Sequence, residues 1–267
     1  MGLLIWFLST RKGLNIDIEQ YEGPREPLTS LVAELSAALK GFNPHLQLSF
    51  DLAIFPSGQA EHYDHAALSQ HLDFIFPMAY DEPWGSKVAA ANSPLAALRR
   101  GVAEYVGLGV PASKLVVGLP WYGWDWPCTT NATDAPCDVV PPCGRPWFGW
   151  ATQVGYSNIQ AKLKASSATL RTDNVSITRY FDYTVATGDA IGRHQLWFDD
   201  PVTLAQKYRV RQLPESSRIS SALHSISLAS CRLIGTCSAT STLPATTCAL
   251  FSVCGRCVVF CECGSDC

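Results

Sequence analysis

The sequence predicts an α/β fold that is built on a parallel sheet. Segments with the two-residue period of a strand alternate along the chain with segments that have the period of a helix, and this order is typical of α/β proteins. Residues 72–80 and 115–121 are almost continuously apolar, as expected for parallel strands that are buried on both faces. A chain of 267 residues is long enough for one α/β barrel or for two smaller domains.

The first half of the chain contains two predicted strands and two predicted helices. Residues 13–20 form the first strand, because aliphatic and polar side chains alternate there. Residues 24–41 are predicted to be a helix, since apolar side chains recur at three- and four-residue spacing. Residues 45–54 alternate again and form the second strand, and residues 59–71 are predicted to form the next helix.

The second half continues the same alternation. The apolar segments 72–80 and 115–121 are the third and fourth strands, and residues 93–109 form the helix between them. A short strand is predicted at residues 194–198, and a last helix follows at residues 199–211. Four parallel strands joined by right-handed crossovers are therefore expected.

Two stretches are predicted to be irregular. Residues 122–150 are rich in Trp, Pro and Cys and are expected to form a long insertion. Residues 212–267 are rich in Ser, Thr and Cys and lose hydrophobic periodicity, so we expect a poorly ordered tail. Its cysteines fit a disulfide-rich tail or a thiolate zinc site. The segment also fits the product of an alternative exon or of a misread frame.

Charge and hydropathy exclude some classes of partner. The net charge is −3 and no basic run is present, so a nucleic-acid partner is not expected. No apolar run approaches the ~18–20 residues that span a bilayer, so a membrane partner is not expected either. Residues 3–8 are apolar like the core of a signal peptide, but no basic residue precedes them. A signal peptide is therefore predicted to be absent or weak.

Cysteines and sequons favour a secretory-pathway protein. Cys128, Cys137 and Cys143 form one cluster near the middle of the chain. Asn131 and Asn174 each begin an Asn-x-Ser/Thr sequon, which is the acceptor sequence for N-linked glycans.

The first strand carries a polar face. Asn15, Asp17 and Glu19 are spaced two residues apart, which places them on the same face of a strand. An ordinary strand with one face in water would show the same alternation, so the pattern alone leaves both interpretations open.

Four stretches resemble glycoside hydrolase family 18. Residues 13–20, Gly-Leu-Asn-Ile-Asp-Ile-Glu-Gln, resemble the family signature Asp-Gly-x-x-x-Asp-x-Glu and are most similar to its chitobiase branch. Three further stretches follow in the family's order: Met-Ala-Tyr-Asp at 78–81, Gly-Leu-Pro-Trp-Tyr-Gly at 118–123 and Trp-Phe-Asp-Asp at 197–200. The chain departs from the signature at its first Asp, which is replaced by Lys12.

The resemblance implies an eight-stranded barrel of which this chain holds a part. Residues 13–211 would form a partial TIM (β/α)8 barrel, from about the fourth to the seventh strand. Residues 1–12 would be a leader outside the family. Strands one to three would precede Lys12 and the eighth would follow Arg211, so the chain is expected to be truncated at both ends.

The resemblance also implies roles for individual residues. Glu19 would be the proton donor, Asp17 would assist the acetamido group of the substrate, and Tyr80 would hydrogen-bond the acetamido oxygen. This is substrate-assisted catalysis with retention of configuration, and it needs no metal and no cofactor.

Further residues are expected to bind the substrate. They are Asn15, Met78, Asp81, Trp121, Tyr122 and Asp199. An alternative is that Met78 and Tyr80 are ordinary core residues and that the tryptophans of residues 122–150 form a packed satellite core. Histidines between residues 62 and 71 are read as part of a solvated helix, because a zinc-site spacing is absent.

The family resemblance suggests the GlcNAc-GlcNAc core of asparagine-linked oligosaccharides as the substrate, the lysosome as the location and a monomer as the state. One alternative is a sugar-binding remnant without turnover, similar to chitinase-like lectins. Another is a truncated chain that does not fold stably, because half a barrel exposes sheet edges. Lys12 and the missing strands predict that the activity of this chain is low or absent.

Overall fold

The structure is a computed structural model. It describes residues 13–83, 86–132, 136–139, 151–187 and 190–209. The predicted leader, the weak signal peptide, Lys12, Cys143 and the cysteine-rich tail lie outside the described residues.

Three parallel strands form the first sheet. They are β1 (Gly13–Asp17), β2 (Gln47–Ala53) and β3 (Phe74–Met78), and they are adjacent in that order. The helices that connect and follow them are α1 (Arg25–Phe42), α2 (His65–His71) and α3 (Leu95–Gly107). A short 3-10 helix at Pro56–Gln59 precedes α2. The predicted α/β class and the parallel pairing of the first three strands are confirmed.

Two of the elements whose boundaries differ from the prediction are β1 and α2. β1 ends at Asp17, so Glu19 lies two residues beyond the strand. The helix predicted at residues 59–71 is shorter in the structure, where α2 begins only after Asp64. The Asp64 carboxylate accepts the Ala67 N–H at 3.0 Å. A side-chain acceptor at this position fixes the start of a helix.

The prediction of a continuous strand at residues 115–121 is wrong. The segment runs parallel to β3, but only through isolated bridges that pair Ile75 with Leu115 and Met78 with Gly118. Val116 N–H donates to Ile75 O at 2.9 Å and Gly118 N–H donates to Pro77 O at 3.0 Å. A complete ladder would also need the N–H of residue 77, which a proline lacks.

The main core lies between the parallel sheet and its helices. Ile16 of β1, Phe50 of β2 and Ile75 of β3 are at most 1% exposed and pack in one cluster with Val32 of α1 and Val102 of α3. α3 comes close to the chain after β2, because a Cβ on Gly101 would lie 2.3 Å from the Ile54 carbonyl oxygen. One face of the sheet is therefore covered by helices.

Five antiparallel strands form a second sheet in the order β5-β4-β8-β7-β6. They are β4 (Tyr122–Pro127), β5 (Thr152–Gly155), β6 (Arg171–Asp173), β7 (Thr178–Thr187) and β8 (Ala190–Phe198). Helix α4 (Tyr156–Ser166) lies between β5 and β6 in the chain, and α5 (Pro201–Lys207) follows β8. Ile159 of α4 is fully buried in a cluster with Phe181 of β7 and Phe198 of β8.

The expected irregular insertion is ordered at its start. Residues 122–127 form β4, because Trp124 pairs in register with Trp197 of β8. A disulfide joins Cys128 to Cys137 just after this strand. The strand predicted at residues 194–198 is confirmed but begins at Ala190, and β5, β6, β7 and α4 were not predicted.

No helix among the described residues is long and apolar enough to span a membrane.

Candidate active site

The face of the parallel sheet opposite the main core carries a row of polar side chains. Asn15 and Asp17 alternate with Ile16, whose side chain is buried in the main core, so the two polar residues point to the opposite face. Glu19 is exposed two residues beyond Asp17. The structure therefore brings Asn15, Asp17 and Glu19 together at the carboxyl end of β1.

Asp51 on β2 is a member of this row that the sequence analysis missed. It lies opposite Asp17 in the β1–β2 register, and Ser49 lies opposite Asn15. Asn15 Nδ2 donates to Asp51 Oδ2 at 2.8 Å, and Ser49 Oγ donates to Asn15 Oδ1 at 2.6 Å. Alternation along residues 45–54 puts Asp51 opposite the aliphatic face, which was the available signal.

The carboxyl groups of the row affect one another's ionisation. The Glu19 side chain is exposed overall, but its carboxyl group is partly screened from water, and this partial burial raises its pKa. The negative charges of Asp17 and Asp81 raise it further. Burial also raises the pKa of Asp17. Burial and the charges of Asp17 and Glu19 raise the pKa of Asp51 to about 7, against the opposing effect of the Asn15 hydrogen bond. At this pKa Asp51 can hold a proton near neutral pH.

Tyr80 and Asp81 follow β3 on the same side of the sheet. Tyr80 packs with Met78 against Phe76, in a cluster separate from the main core. The Asp81 carboxylate accepts the Tyr122 hydroxyl at 2.6 Å and Trp124 Nε1–H at 3.2 Å, both at Oδ1. Asp81 therefore joins the parallel sheet to β4.

Asn92 holds this junction in place, and it too was missed from the sequence. Its side chain is fully buried, accepts the Asp81 N–H at 2.7 Å and donates to Tyr122 O at 3.2 Å. Asp81 has a φ of 60°, a left-handed conformation that a non-glycine residue adopts only when its surroundings stabilise it. Asn92 supplies that stabilisation.

Two aromatic residues predicted to bind substrate, Tyr122 and Trp121, lie in different surroundings. Tyr122 packs its ring edge-on against Tyr80, with centroids 6.2 Å apart, and so belongs to the group around Asp81. Trp121 packs against the main core and edge-on against Tyr156 at 5.6 Å. Its indole Nε1 is buried without a hydrogen-bond partner.

The prediction that Asp199 contacts the substrate is wrong. Its carboxylate is fully buried and accepts Lys207 Nζ–H bonds at 2.6 and 2.7 Å, and the Thr203 hydroxyl at 2.8 Å. Burial raises the pKa of Asp199 against the opposing effect of Lys207. The residue anchors α5 to the end of β8 and cannot reach a sugar.

The described residues contain no group of three or more His, Cys, Asp and Glu side chains that could hold a metal ion. His65 was predicted to lie on a solvated helix face, and this prediction is wrong. The His65 side chain is buried and stacks on Tyr63, and burial lowers its pKa to about 4. His65 is therefore a neutral core residue at physiological pH.

Comparison with known proteins gives one family match and several relatives. The model of the glycosyl hydrolases family 18 matches residues 10–212. Di-N-acetylchitobiase of Rattus norvegicus is 34% identical over 209 residues, covering 73% of this chain and 55% of the relative. The Homo sapiens di-N-acetylchitobiase is 32% identical over 216 residues, covering 74% and 55%. The chain thus spans little more than half the length of these relatives.

Solved structures show the same fold. A Group IV chitinase of Ostrinia furnacalis superposes with a TM-score of 0.60 at 22% identity, covering 74% of this chain and 58% of the other. The Class V chitinase of Nicotiana tobaccum superposes with a TM-score of 0.59 at 22% identity, covering 74% and 60%.

Proposed function

The chain belongs to glycoside hydrolase family 18, and from that premise we propose that it is a glycosidase of the chitobiase type. The substrate would be the β-1,4-linked GlcNAc-GlcNAc core of asparagine-linked oligosaccharides. The carrying observation is the row of acidic side chains at the carboxyl end of β1, in which Glu19 has a raised pKa and stands within electrostatic reach of Asp17 and Asp81.

Glu19 is the proton donor in this proposal. It protonates the glycosidic oxygen while the acetamido oxygen of the substrate attacks the anomeric carbon, so the bond to the leaving sugar breaks and an oxazolinium ion forms. The Glu19 carboxylate then takes a proton from the water that attacks the same carbon. The ring opens, the acid is restored and the configuration is retained. A raised pKa suits the first step, because the acid must hold its proton near the working pH.

Asp17 and Tyr80 act on the acetamido group. Asp17 accepts the acetamido N–H and stabilises its developing positive charge, and the Tyr80 hydroxyl donates to the acetamido oxygen and directs it to the anomeric carbon. The side chains proposed to contact the sugar are Asn15, Met78, Asp81, Trp121 and Tyr122. Support comes from the shared position of Met78, Tyr80 and Asp81 at the end of β3, where barrel enzymes place their active sites.

We also propose that β1, β2, β3 and the segment 115–121 correspond to strands four to seven of a (β/α)8 barrel. The parallel order of β1 to β3 and the parallel bridges to Leu115 and Gly118 support this assignment. The family match from residue 10 to residue 212 supports it as well.

The location and state are proposed by analogy. A lysosomal monomer, glycosylated at Asn131 or Asn174, would fit the family resemblance and the sequons. A sugar-binding protein without turnover is the less favoured alternative, because Glu19, Asp17 and Tyr80 are all retained. The expectation of low or absent activity, which rests on Lys12 and on the missing strands, stays a prediction.

The test is hydrolysis of a chitobiose-core oligosaccharide by the purified chain and by Glu19→Gln. Glu22→Gln is the matched control, because Glu22 is an exposed carboxylate three residues away. We expect the wild type and the control to release product with retained anomeric configuration, measured by proton NMR, and Glu19→Gln to lose at least 100-fold in kcat, the lower range for general acid catalysis, roughly 10²–10⁴-fold. Equal rates for wild type and Glu19→Gln would refute the proposal. No turnover by the wild type would refute it for this chain and would agree instead with the prediction of absent activity.

A further inference from the structure

The carboxyl groups of Asp17 on β1 and Asp51 on β2 lie side by side, and one can donate the hydrogen bond that the other lacks. Asp17 Oδ1 is buried without a hydrogen-bond partner, although a buried carboxylate oxygen normally accepts at least one hydrogen bond. Asp51 lies opposite it in the strand register. Asp51 Oδ2 already accepts from Asn15, which leaves its second oxygen, Oδ1, free to carry a proton.

The surroundings of Asp51 favour the protonated form. On one side it faces Asn15 and Asp17 of β1, and Glu19, which lies beyond the end of that strand. On the other side, its register partner on β3 is Phe76, which is apolar. Among the described residues no Lys, Arg or His forms an ion pair with Asp51. Two neighbouring carboxylates and an apolar wall both disfavour a third negative charge.

We propose that Asp51 is a positioning residue that shares one proton with Asp17 across the two strands. The Asp51 Oδ1–H donates to Asp17 Oδ1, so Asp17 stays charged and keeps Oδ2 for the acetamido N–H of the substrate. Asn15 fixes the orientation of Asp51 by donating to its other oxygen, and Ser49 in turn holds Asn15 by donating to its side-chain oxygen. The Asp17–Asp51 pair then carries a single negative charge. The catalytic part of this inference rests on the proposed function, whereas the shared proton itself does not.

Proton sharing has a consequence that a structural role for Asp51 would not have. Asn at position 51 can accept from Asn15 through its carbonyl and donate to Asp17 through its amide, so Asp51→Asn imitates the protonated acid. Ionisation of Asp51, with its pKa raised to about 7, should remove the donor from the wild type but not from Asp51→Asn. Ala at this position has neither group and should lower kcat at every pH.

The experiment has one arm that needs no turnover. Side-chain carboxyl carbons of the full chain are titrated by ¹³C NMR in the wild type, Asp51→Asn, Asp17→Asn and the control Asp138→Asn, whose side chain is exposed. We expect one Asp carboxyl to titrate near neutral pH in the wild type and in Asp138→Asn, to vanish in Asp51→Asn, and to shift to lower pH in Asp17→Asn. Glu82, whose pKa burial raises to about 7, is distinguished by its Glu chemical shift. A near-neutral Asp titration that survives in Asp51→Asn, or that is missing from the wild type, overturns the inference even if the chain has no activity.

The second arm compares pH profiles of kcat/KM. Between pH 6 and pH 8 the ratio of Asp51→Asn to wild type should rise about tenfold, because only the wild type loses its donor when Asp51 ionises. A constant ratio would overturn the positioning role. Turnover by the wild type with a constant ratio would leave the proposed function intact, so the two failures are distinguishable.

Discussion

Asn92→Ala should destabilise the protein out of proportion to the size of the deleted group. The substitution leaves the partly buried Asp81 N–H and the buried Tyr122 carbonyl without their hydrogen bonds of 2.7 and 3.2 Å. Each unsatisfied buried group costs about 1–3 kcal/mol, so we expect a loss of about 3 kcal/mol in the free energy of unfolding. The left-handed backbone at Asp81 adds to this loss, because Asn92 no longer holds it.

Urea unfolding followed by tryptophan fluorescence measures this loss. With an m value of about 2 kcal/mol/M, the midpoint should fall by roughly 1.5 M. Asn43→Ala is the matched control, because the Asn43 side chain accepts one hydrogen bond, from the His45 N–H at 2.9 Å, at an exposed position. The control should change stability by less than about 1 kcal/mol. Equal midpoints for Asn92→Ala and Asn43→Ala would refute the assignment of Asn92 as the support of Asp81.

Three further predictions concern the buried ion pair, the disulfide and pH. Lys207→Met should cost about 3–5 kcal/mol in urea unfolding because it leaves the buried Asp199 without its cation, and the double variant with Asp199→Leu should recover much of this loss; equal stability of the single and double variants would contradict it. Replacing Cys128 and Cys137 by Ser should lower the unfolding free energy by about 2–3 kcal/mol through the entropy of the opened loop, and dithiothreitol should destabilise only the wild type. Because the folded pKa of Asp51 is raised to about 7 from 3.8, its stabilising contribution is complete below about pH 4 and is lost as pH rises through 7; the Tm of Asp51→Asn relative to wild type should therefore increase from pH 4.5 to pH 7.5, and a constant difference would contradict the raised pKa.

The helices and strands whose apolar side chains recur with a helical or strand period could be predicted from the sequence. Features that depend on contacts between elements could not. β1 to β3 and their helices were predictable, because each has a clear apolar face. The role of Asp199 was not, since its ion pair with Lys207 is buried only when α5 packs beside Thr178 of β7.

The site was predictable to a similar extent. Asp17, Glu19 and Tyr80 lie in short motifs that can be read directly. Asp51 and Asn92 act on residues of other elements through hydrogen bonds and strand register, and no local pattern distinguishes them from ordinary polar residues.

The two sheets also differ in how far apart along the chain their partners lie, and this sets an order for folding. β7 and β8 pair as neighbours, from Thr187 with Ala190 outward, and such local contacts close in microseconds. β1 meets β2 across a separation of 34 residues, as in the pair Asp17 and Asp51 (51 − 17), and nonlocal parallel pairing is slow because a long loop must close first. We therefore expect the acidic row to be assembled late. During refolding, the amides of β7 and β8 should be protected from hydrogen exchange before Asp17 and Asp51 share their proton.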